Sequence, residues 1–529
     1  MDKLGMVFFA VPWGLALKCC SAKFLMSVCI LLNAGSSCVF GLVPSRVPRQ
    51  WTKTSMYAAR FLMGATQSLQ GVWGTAWTIT MAPPNRKTMW FGLGAVSAGI
   101  GNGLGFAVAG FGRDAGLPFY FAFEVAGAIL ALHWLAVLVC PAKWLSTSSG
   151  RAMQFRETDV PLSPQSGQMR GWSSQATRKE LSEMLSNRVY LWTAFAISLT
   201  QFETSAIQYL WNRVFAALWP DVPMTTITTM FLVVIGSSSG LGIIVGPRLI
   251  DKQGGFATPP GVVKCLQILL YFQLVAVLAG ASGIYCLYRR MHHQEGAVVW
   301  WLWLTWACIF LILFAQNACV AALCGINVEV IPERSRTFAS GAEIAVRNVF
   351  GYMSGPLLPS VVMSANSLSS EEDQLSYGLG FVFLVNVVGV VLVGAALASG
   401  RLFVTEQQSK ALDAIRDAVN AQDVEALRQA VDRAKQVDLC KHRYGTWIVA
   451  MADRMIEQLD VGQIPSFSLR SPQHTFRDQG LTDRAELLER AIAQRLLDIR
   501  RLEIELRQLR GGVVSDDAGG AEASPSLRW

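Results

Sequence analysis

Apolar stretches dominate the first 403 residues of the chain, and polar connections separate them. The stretches cover residues 4–17, 24–43, 56–82, 88–112, 119–141, 189–217, 224–248, 261–288, 297–325, 337–363 and 377–403. Five lie before a polar gap at residues 142–188, and six lie after it. All but the first reach the roughly 20 residues that a helix needs to cross the hydrocarbon layer. The pattern predicts an all-α polytopic membrane protein with about 11 transmembrane helices.

The first stretch is too short to cross a bilayer by itself, and it has two interpretations. One is the apolar core of a signal peptide, with a cleavage site near Cys20 to Ala22. The other is the remnant of a membrane helix that contains Pro12. We favour the remnant, because Asp2 is unusual in the positively charged start of a signal peptide.

Composition agrees with a membrane protein before any motif is considered. Hydrophobic residues make up 52% of the chain and charged residues 16%, and the 17 Trp lie mostly near the ends of apolar stretches. The net charge of +8 is explained by basic residues that anchor the protein beside anionic lipid. Nucleic-acid binding is therefore not expected, and the lipid bilayer is the expected partner.

Basic residues are concentrated in alternate connections, which orients the chain. The clusters are Lys18 to Lys23, Asn85 to Lys87, the gap at 142–188, Arg248 to Lys252, and Glu333 to Arg336. The positive-inside rule places these connections in the cytoplasm. The basic connections at 46–53 and 289–290 disagree, whereas the acidic run Glu371 to Asp373 falls outside, as the rule permits. The C-terminal tail, residues 404–529, is expected in the cytoplasm.

Residues for catalysis or metal binding do not cluster in the sequence. The 11 Cys lie mostly inside apolar stretches and show no C-x-x-C spacing, so they are expected to be buried small hydrophobic residues. His292 and His293 lie in a polar connection without carboxylate or thiol partners. There is no P-loop, nucleophile elbow, H-E-x-x-H or dinucleotide fingerprint. We therefore expect no enzyme activity, no cofactor and no metal.

A loop after the seventh stretch carries the most informative motif. It reads GPRLIDKQGG at residues 246–255, in which Gly246, Gly254 and Gly255 permit a tight turn. Asp251 and Lys252 stand at the helix end, where their charges can hold neighbouring helices together. The loop resembles the G-x-x-x-D-[RK]-x-G signature of the major facilitator superfamily. This resemblance assigns a gating role to Gly246, Asp251, Lys252 and Gly254.

Further segments resemble the same superfamily in the expected order. They are Arg60 with Gly64 (R-x-x-x-G), the glycine-rich run 99–110, and residues 330–336 leading into 347–356, which are similar to the Spinster branch. The resemblance covers residues 4–403 and implies a bundle of two helical halves that transports a solute by alternating access. The motif order makes residues 4–17 the second helix of the front half, so the first helix of the superfamily has no counterpart.

Ionisable and polar groups inside the apolar stretches are the candidates for the transport site, because burying a charge in a membrane is costly. We assign substrate binding to Arg60, Gln67, Asn102 and Arg347. Glu203 and Glu343 are the candidates for proton or ion coupling. Glu343 and Arg347 stand four residues apart on one helix face, so either mutual neutralisation or a transport role explains them.

Two departures from the superfamily pattern bear on the mechanism. Lys18 stands where the front-half loop is expected to carry an acid, and Gln67 replaces an acid that is typical of Spinster-like carriers. Three explanations remain open: coupling has moved to the back half, the chain is incomplete, or the protein no longer transports.

The remaining segments define the domain organisation. The front half covers residues 1–141, a cytoplasmic linker 142–188, the back half 189–403, and a charged, helix-favouring tail 404–529. A short amphipathic helix is expected at 177–187, and two tail helices at 406–436 with a break near Asn420 to Asp423. Residues 481–510 show a heptad pattern, which fits either coiled-coil pairing or a single amphipathic helix.

These features predict a secondary active transporter, a symporter or antiporter for a small organic or amphiphilic solute, with a tail for self-association or regulation. Two other classes remain open. A non-transporting receptor or scaffold fits the missing helix, Lys18, Gln67 and the paired-helix tail. A membrane-embedded enzyme is disfavoured by the absence of clustered catalytic residues.

Overall fold

The computed structural model describes residues 1–118, 120–146, 174–292, 298–366, 370–421, 423–437, 449–450, 452–453 and 456. These residues form helices and connections without a strand. The helices are α1 (Asp2–Cys19), α2 (Ala22–Arg46), α3 (Arg49–Met81), α4 (Lys87–Asp114), α5 (Phe121–Val139), α6 (Ala142–Leu145), α7 (Ser174–Ser186), α8 (Arg188–Leu218), α9 (Met224–Lys252), α10 (Pro259–His292), α11 (Val298–Glu329), α12 (Arg336–Arg347), α13 (Ser354–Ala365), α14 (Glu371–Ala421) and α15 (Val424–Gln436).

The predicted all-α membrane architecture is confirmed, because each of the eleven apolar stretches forms helix. Within the described residues, six helices combine the length and hydropathy needed to cross a membrane: α2, α5, α9, α10, α11 and α14. The short first stretch forms α1, which continues through Pro12. The tenth stretch is interrupted: a π-helical segment, Asn348–Met353, separates α12 from α13.

Close helix contacts at glycines hold each half together. In the front half, α1 packs along α3, where a methyl group added at Gly64 would collide with the Asp2 backbone and one added at Gly5 with the Phe61 backbone. In the back half, a methyl group added at Gly246 would collide with the Ala318 backbone. Small residues allow this close approach, which supplies packing energy where lipid removes the hydrophobic driving force.

The most extensive contacts between the two halves are made by two pairs of helices. At the first, α1 packs against α12: a methyl group at Gly341 would meet the backbone of Ala10, and one at Gly14 would meet Thr337. At the second, α4 packs against α9, where a methyl group at Gly92 would come within 3.1 Å of the Ile243 carbonyl oxygen. In each pair, one helix of the front half lies beside one helix of the back half.

The described ends of the linker, residues 142–146 and 174–188, contain two short helices. α6 is attached to α3, since the indole N–H of Trp73 donates to the Leu145 carbonyl at 2.8 Å and that of Trp77 to the Trp144 carbonyl at 2.7 Å. α7 (Ser174–Ser186) includes most of the amphipathic helix expected at 177–187. It precedes α8 directly, and Asn187 caps α8 by accepting a hydrogen bond from the backbone N–H of Tyr190.

The last membrane helix extends into the tail without interruption. α14 runs through residue 403, so the first of the two expected tail helices is its continuation and not a separate element. The reason is that residues 401–421 contain neither Gly nor Pro. α15 begins after Asp423, whose side chain caps Ala426, and it packs on the end of α14. The heptad segment 481–510 lies outside the described residues.

Candidate functional site

Asp251 joins the two halves at one end of the bundle. Its carboxylate accepts hydrogen bonds from the backbone N–H groups of Thr88 at 3.3 Å and Met89 at 3.0 Å. Both donors lie in the first turn of α4, where N–H groups lack helical partners and the helix dipole favours a negative charge. The back half therefore caps a helix of the front half, and we call this end of the bundle the latched end.

The glycines after Asp251 end α9 and turn the chain towards α10. Gly254 and Gly255 have positive φ angles of 99° and 67°, which side chains with a Cβ rarely adopt. The Gly255 N–H donates to the carbonyl of Ile250 at 3.0 Å and so closes the end of the helix. Lys252 is exposed and forms no ion pair with a described residue. The carboxylate of Asp251 is thus held in place by the turn that follows it.

Glu329 forms a second connection across the latched end. Its Oε2 lies 2.8 Å from the Lys87 ammonium of the front half, and its Oε1 lies 3.4 Å from the Arg336 guanidinium of the back half. The side chains of Lys87 and Glu329 are only 12% and 15% exposed, so water screens the pair weakly. Sequence reasoning missed Glu329, because its partner Lys87 is distant in the chain.

Linker helix α7 supplies a third connection. Glu180 pairs with Lys18 at the end of α1, and Glu183 pairs with Arg334 before α12. The hydrogen bond to Glu183, followed by the charges of Glu183 and Glu180, raises the pKa of Arg334 above its ordinary value. Lys18, which replaces the expected acid, therefore has an acidic partner from the linker. One helix contacts both halves.

The closeness of packing at the glycines of α4 and α9 changes along the two helices. At the latched end Gly92 lies close to Ile243 and Pro247. Further along α4, Gly99, Gly101 and Gly105 have no described atom within 4 Å of an added methyl group, and neither have Gly236 and Gly240 on α9. The glycine-rich run predicted from the sequence therefore faces open space at these positions, and no tight contact forms there.

The predicted pair Glu343 and Arg347 lies at the interruption between α12 and α13. The Arg347 Nε is 3.5 Å from the Glu343 Oε1, and both side chains are largely buried. Neither of these two atoms has a hydrogen-bond partner among the described residues. The Oδ1 of Asn348 also lacks a hydrogen-bond partner among them. The π-helical segment begins at Asn348. Such segments occur frequently at functional sites.

Lys3 approaches the same place from the front half. Its ammonium lies 4.2 Å above the ring of Tyr352, which belongs to the π-helical segment. Lys3 is also within electrostatic range of Arg347. Sequence reasoning missed Lys3, because it lies just before the first apolar stretch. The sequence offered one signal for Lys3, namely that it directly precedes the first apolar stretch, which forms the rest of α1.

Glu203 is buried in the interior of the back half. Its side chain is fully inaccessible, and the side-chain amide of Gln316 lies in its surroundings. Gln316 accepts a hydrogen bond from Gln273 at 3.0 Å and donates one to Asn386 at 2.9 Å. Neither carboxylate oxygen of Glu203 has hydrogen-bonding geometry to a described residue. The structure thus places a lone carboxyl group beside a network of amides.

The remaining predicted substrate residues lie in the front half. The Arg60 guanidinium is 4.4 Å from the ring centroid of Phe40 on α2 and 5.7 Å from that of Phe123 on α5. Gln67 is half-buried on α3. Asn102 belongs to α4, and its side chain lies outside the described residues. Arg60 is thus held by α2 and α5, whereas Arg347 pairs within α12.

Comparisons with known proteins agree with this architecture. The family model of the Major Facilitator Superfamily matches residues 4–356. The proton:xylose symporter XylE bound to 6-bromo-6-deoxy-D-glucose has a similar fold, with a TM-score of 0.53, 13% identity and coverage of 74% of this chain and 83% of that chain. A double-Trp mutant of XylE gives a TM-score of 0.54 and 13% identity, covering 76% and 87%. No curated protein matches in sequence. The chain belongs to the Major Facilitator Superfamily.

Proposed function

We propose that this protein is a secondary active transporter that moves a small organic or amphiphilic solute across a membrane by alternating access. The observation that carries the proposal is the asymmetry of the contacts between the halves. Asp251 and Glu329 join the halves at the latched end through hydrogen bonds and ion pairs. Polar contacts of this kind are individually modest, so they can break when the halves rock.

The gating residues are assigned on this basis. Asp251 holds the first turn of α4, and the turn at Gly254 fixes its position. Gly246 keeps α9 against α11, and Lys252 lies beside the loop. When the latched end opens, the hydrogen bonds between the α4 N–H groups and the Asp251 carboxylate break, and both groups bond to water instead. The positive-inside rule places the latched end in the cytoplasm, which makes the described state closed on that side.

Substrate binding is assigned to Arg347 of the back half and to Arg60, Gln67 and Asn102 of the front half. Phe40 fixes the plane of the Arg60 guanidinium, while its N–H groups bond to no described residue. A planar guanidinium with free donors suits a carboxylate or another anionic group. Gln67 and Asn102 would add hydrogen bonds from the same half.

Coupling to protons is assigned to Glu203 and Glu343. A charged Glu203 would lack an ion-pair partner among the described residues of the back half, and an unpaired charge inside a membrane protein costs several kcal/mol. Uptake of a proton removes that cost, so Glu203 can alternate between states as water access changes. Glu343 lies next to Arg347 and could exchange its ion pair for a proton when Arg347 binds substrate.

The similarity of residues 330–336 and 347–356 to the Spinster branch supports a place in that part of the superfamily. On the order of the motifs, α1 would take the place of the superfamily's second helix. The tail beyond α15 would serve self-association or regulation through residues 481–510.

Transport is tested in liposomes that contain the purified full-length protein. A panel of radiolabelled sugars, amino acids, carboxylates and amphiphilic amines is supplied with an imposed pH or sodium gradient. Accumulation of a panel member above the level in protein-free liposomes is the expected result. If no panel member accumulated above the level in protein-free liposomes under either gradient, the proposal would be contradicted.

A non-transporting receptor or scaffold is the second candidate. The uninterrupted helix α14 favours it, since a rigid helix from the membrane into the tail could transmit a conformational change. Lys18 and Gln67, which replace expected acids, favour it as well. This candidate predicts solute binding with no gradient-driven accumulation in the same liposomes.

A further inference from the structure

The segment around the junction of α12 and α13 contains buried polar atoms that form no hydrogen bond with a described residue, although two of them face each other as an ion pair. They are the Oε1 of Glu343, the Nε of Arg347 and the Oδ1 of Asn348, all within two helical turns. Buried polar groups in proteins nearly always have a partner, and the cost of lacking one is greater away from water. Discontinuous membrane helices commonly form substrate sites. These atoms therefore mark a place where an external group completes the bonding.

Charge identifies the kind of group. Lys3 and Arg347 are both cations, and Glu343 offsets one of them at 3.5 Å. Asp2 is next to Lys3 in the sequence, but its side chain is 37% exposed and its Oδ1 lies 4.0 Å from the Met1 ammonium. Within the described part of the chain, one positive charge therefore remains without a buried counter-charge. The ring of Tyr352 lies beneath the Lys3 ammonium at 4.2 Å and limits where the missing charge can sit.

The two cations belong to different halves of the bundle. Lys3 lies on α1 of the front half, and Arg347 lies at the end of α12 in the back half. Like charges facing each other across an interface oppose its closure. An anion between them reverses that effect, because each half then attracts the same ligand. Occupancy of this place would therefore favour contact between the halves.

We propose that Lys3 and Arg347 together bind one anionic head group, a carboxylate or a phosphate monoester, of the transported solute. Lys3, Asn348 and Tyr352 thereby become residues that determine specificity. The inference rests on the proposed function and names the charge of its substrate. The Arg347 guanidinium offers paired N–H donors to an oxyanion, and the Lys3 ammonium offers a second charge from the front half.

Binding is measured on the purified full-length protein in detergent, without vesicles or gradients. The melting temperature is followed by intrinsic Trp fluorescence with hexanoate, hexyl phosphate, hexylamine and hexanol at equal ionic strength. Saturable stabilisation by hexanoate or hexyl phosphate, with none by hexylamine or hexanol, is the expected result. A larger response to hexanoate identifies a carboxylate head group, and a larger response to hexyl phosphate identifies a phosphate. Equal responses to all four probes would overturn the inference.

Substitutions locate the binding. Lys3→Met and Arg347→Met should each weaken the anion response about tenfold or more, because each removes a charged hydrogen bond. Lys3→Arg should retain it, and Lys410→Met, which removes an exposed tail cation, should leave it unchanged. The melting temperature without ligand shows whether each variant is folded. An anion response that survives both Met substitutions in folded protein would contradict the assignment.

The two proposals fail in different ways. Anion binding without accumulation in liposomes would contradict the transport function and leave the binding site intact. Accumulation of an uncharged solute by protein that binds neither anion would contradict the binding site alone.

Discussion

The ammonium group of Lys18 pairs with the carboxylate of Glu180, so the end of α1 is fastened to linker helix α7. One turn further along α7, Glu183 pairs with Arg334 of the back half. Residues three apart on a helix share a face, which lets this one surface contact both halves. The linker therefore provides the acidic group that the front-half loop lacks.

Removal of both linker carboxylates should loosen the latched end. We expect Glu180→Gln with Glu183→Gln to destabilise the closed arrangement by up to about 2 kcal/mol, since partly exposed pairs contribute about 0–1 kcal/mol each. Spin labels on Ser21→Cys and Glu333→Cys, in a background without other reactive thiols, would report a longer and broader distance distribution. Glu425→Gln, which removes an exposed tail carboxylate, is the control. An unchanged distribution would show that α7 does not hold the halves.

Loss of the Asp251 carboxylate should affect the same distance through a different contact. Asp251→Ala removes both acceptors of the α4 N-terminus, which typically costs about 0.5–2 kcal/mol. Asp251→Asn keeps one neutral acceptor and should have a smaller effect. The same spin-label pair and the initial rate of solute uptake are measured. Asp221→Asn, an exposed carboxyl group before α9, should match the unaltered protein. Equal effects of the Ala and Asn variants would contradict a contribution from the neutral acceptor and would show that the charge is required.

Hydropathy alone was sufficient to predict the helices, because a membrane leaves few alternatives to a hydrogen-bonded helix. The pairing of Glu343 with Arg347 was also accessible, since four residues separate neighbours on one helix face. Both features depend on residues that are close in sequence.

Contacts between distant residues were not accessible in this way. Lys18 pairs with a residue of the linker, and Lys87 pairs with Glu329 of the back half. Such contacts depend on how helices of the two halves meet, which hydropathy does not encode. The π-helical segment at Asn348 also escaped prediction, because residues 337–363 read as one apolar stretch. The partners that define the site thus come from tertiary packing.

Glu203 should be required for gradient-driven accumulation and not for exchange. Glu203→Gln preserves the shape of the side chain beside Gln316 but removes the proton-binding group. We expect accumulation under a pH gradient to fall to the level of protein-free vesicles, while exchange of internal for external solute continues. Glu124→Gln, an exposed carboxyl group on α5, is the matched control. Retained accumulation would place coupling elsewhere, and loss of exchange would indicate a structural defect.

Arg60 should act through both its charge and its planar shape. Phe40 lies under the guanidinium at 4.4 Å, and only a flat cation can stack there while directing two N–H groups at one ligand. We therefore expect Arg60→Lys to raise the KM of the transported solute about tenfold or more, the magnitude of a lost charged hydrogen bond. Phe40→Leu should raise KM less, because it frees the guanidinium without removing it. Arg49→Lys, an exposed substitution at the start of α3, controls for the loss of a guanidinium. If Arg60→Lys lowered the melting temperature but left KM unchanged, Arg60 would serve only to pack α3 against α2 and α5.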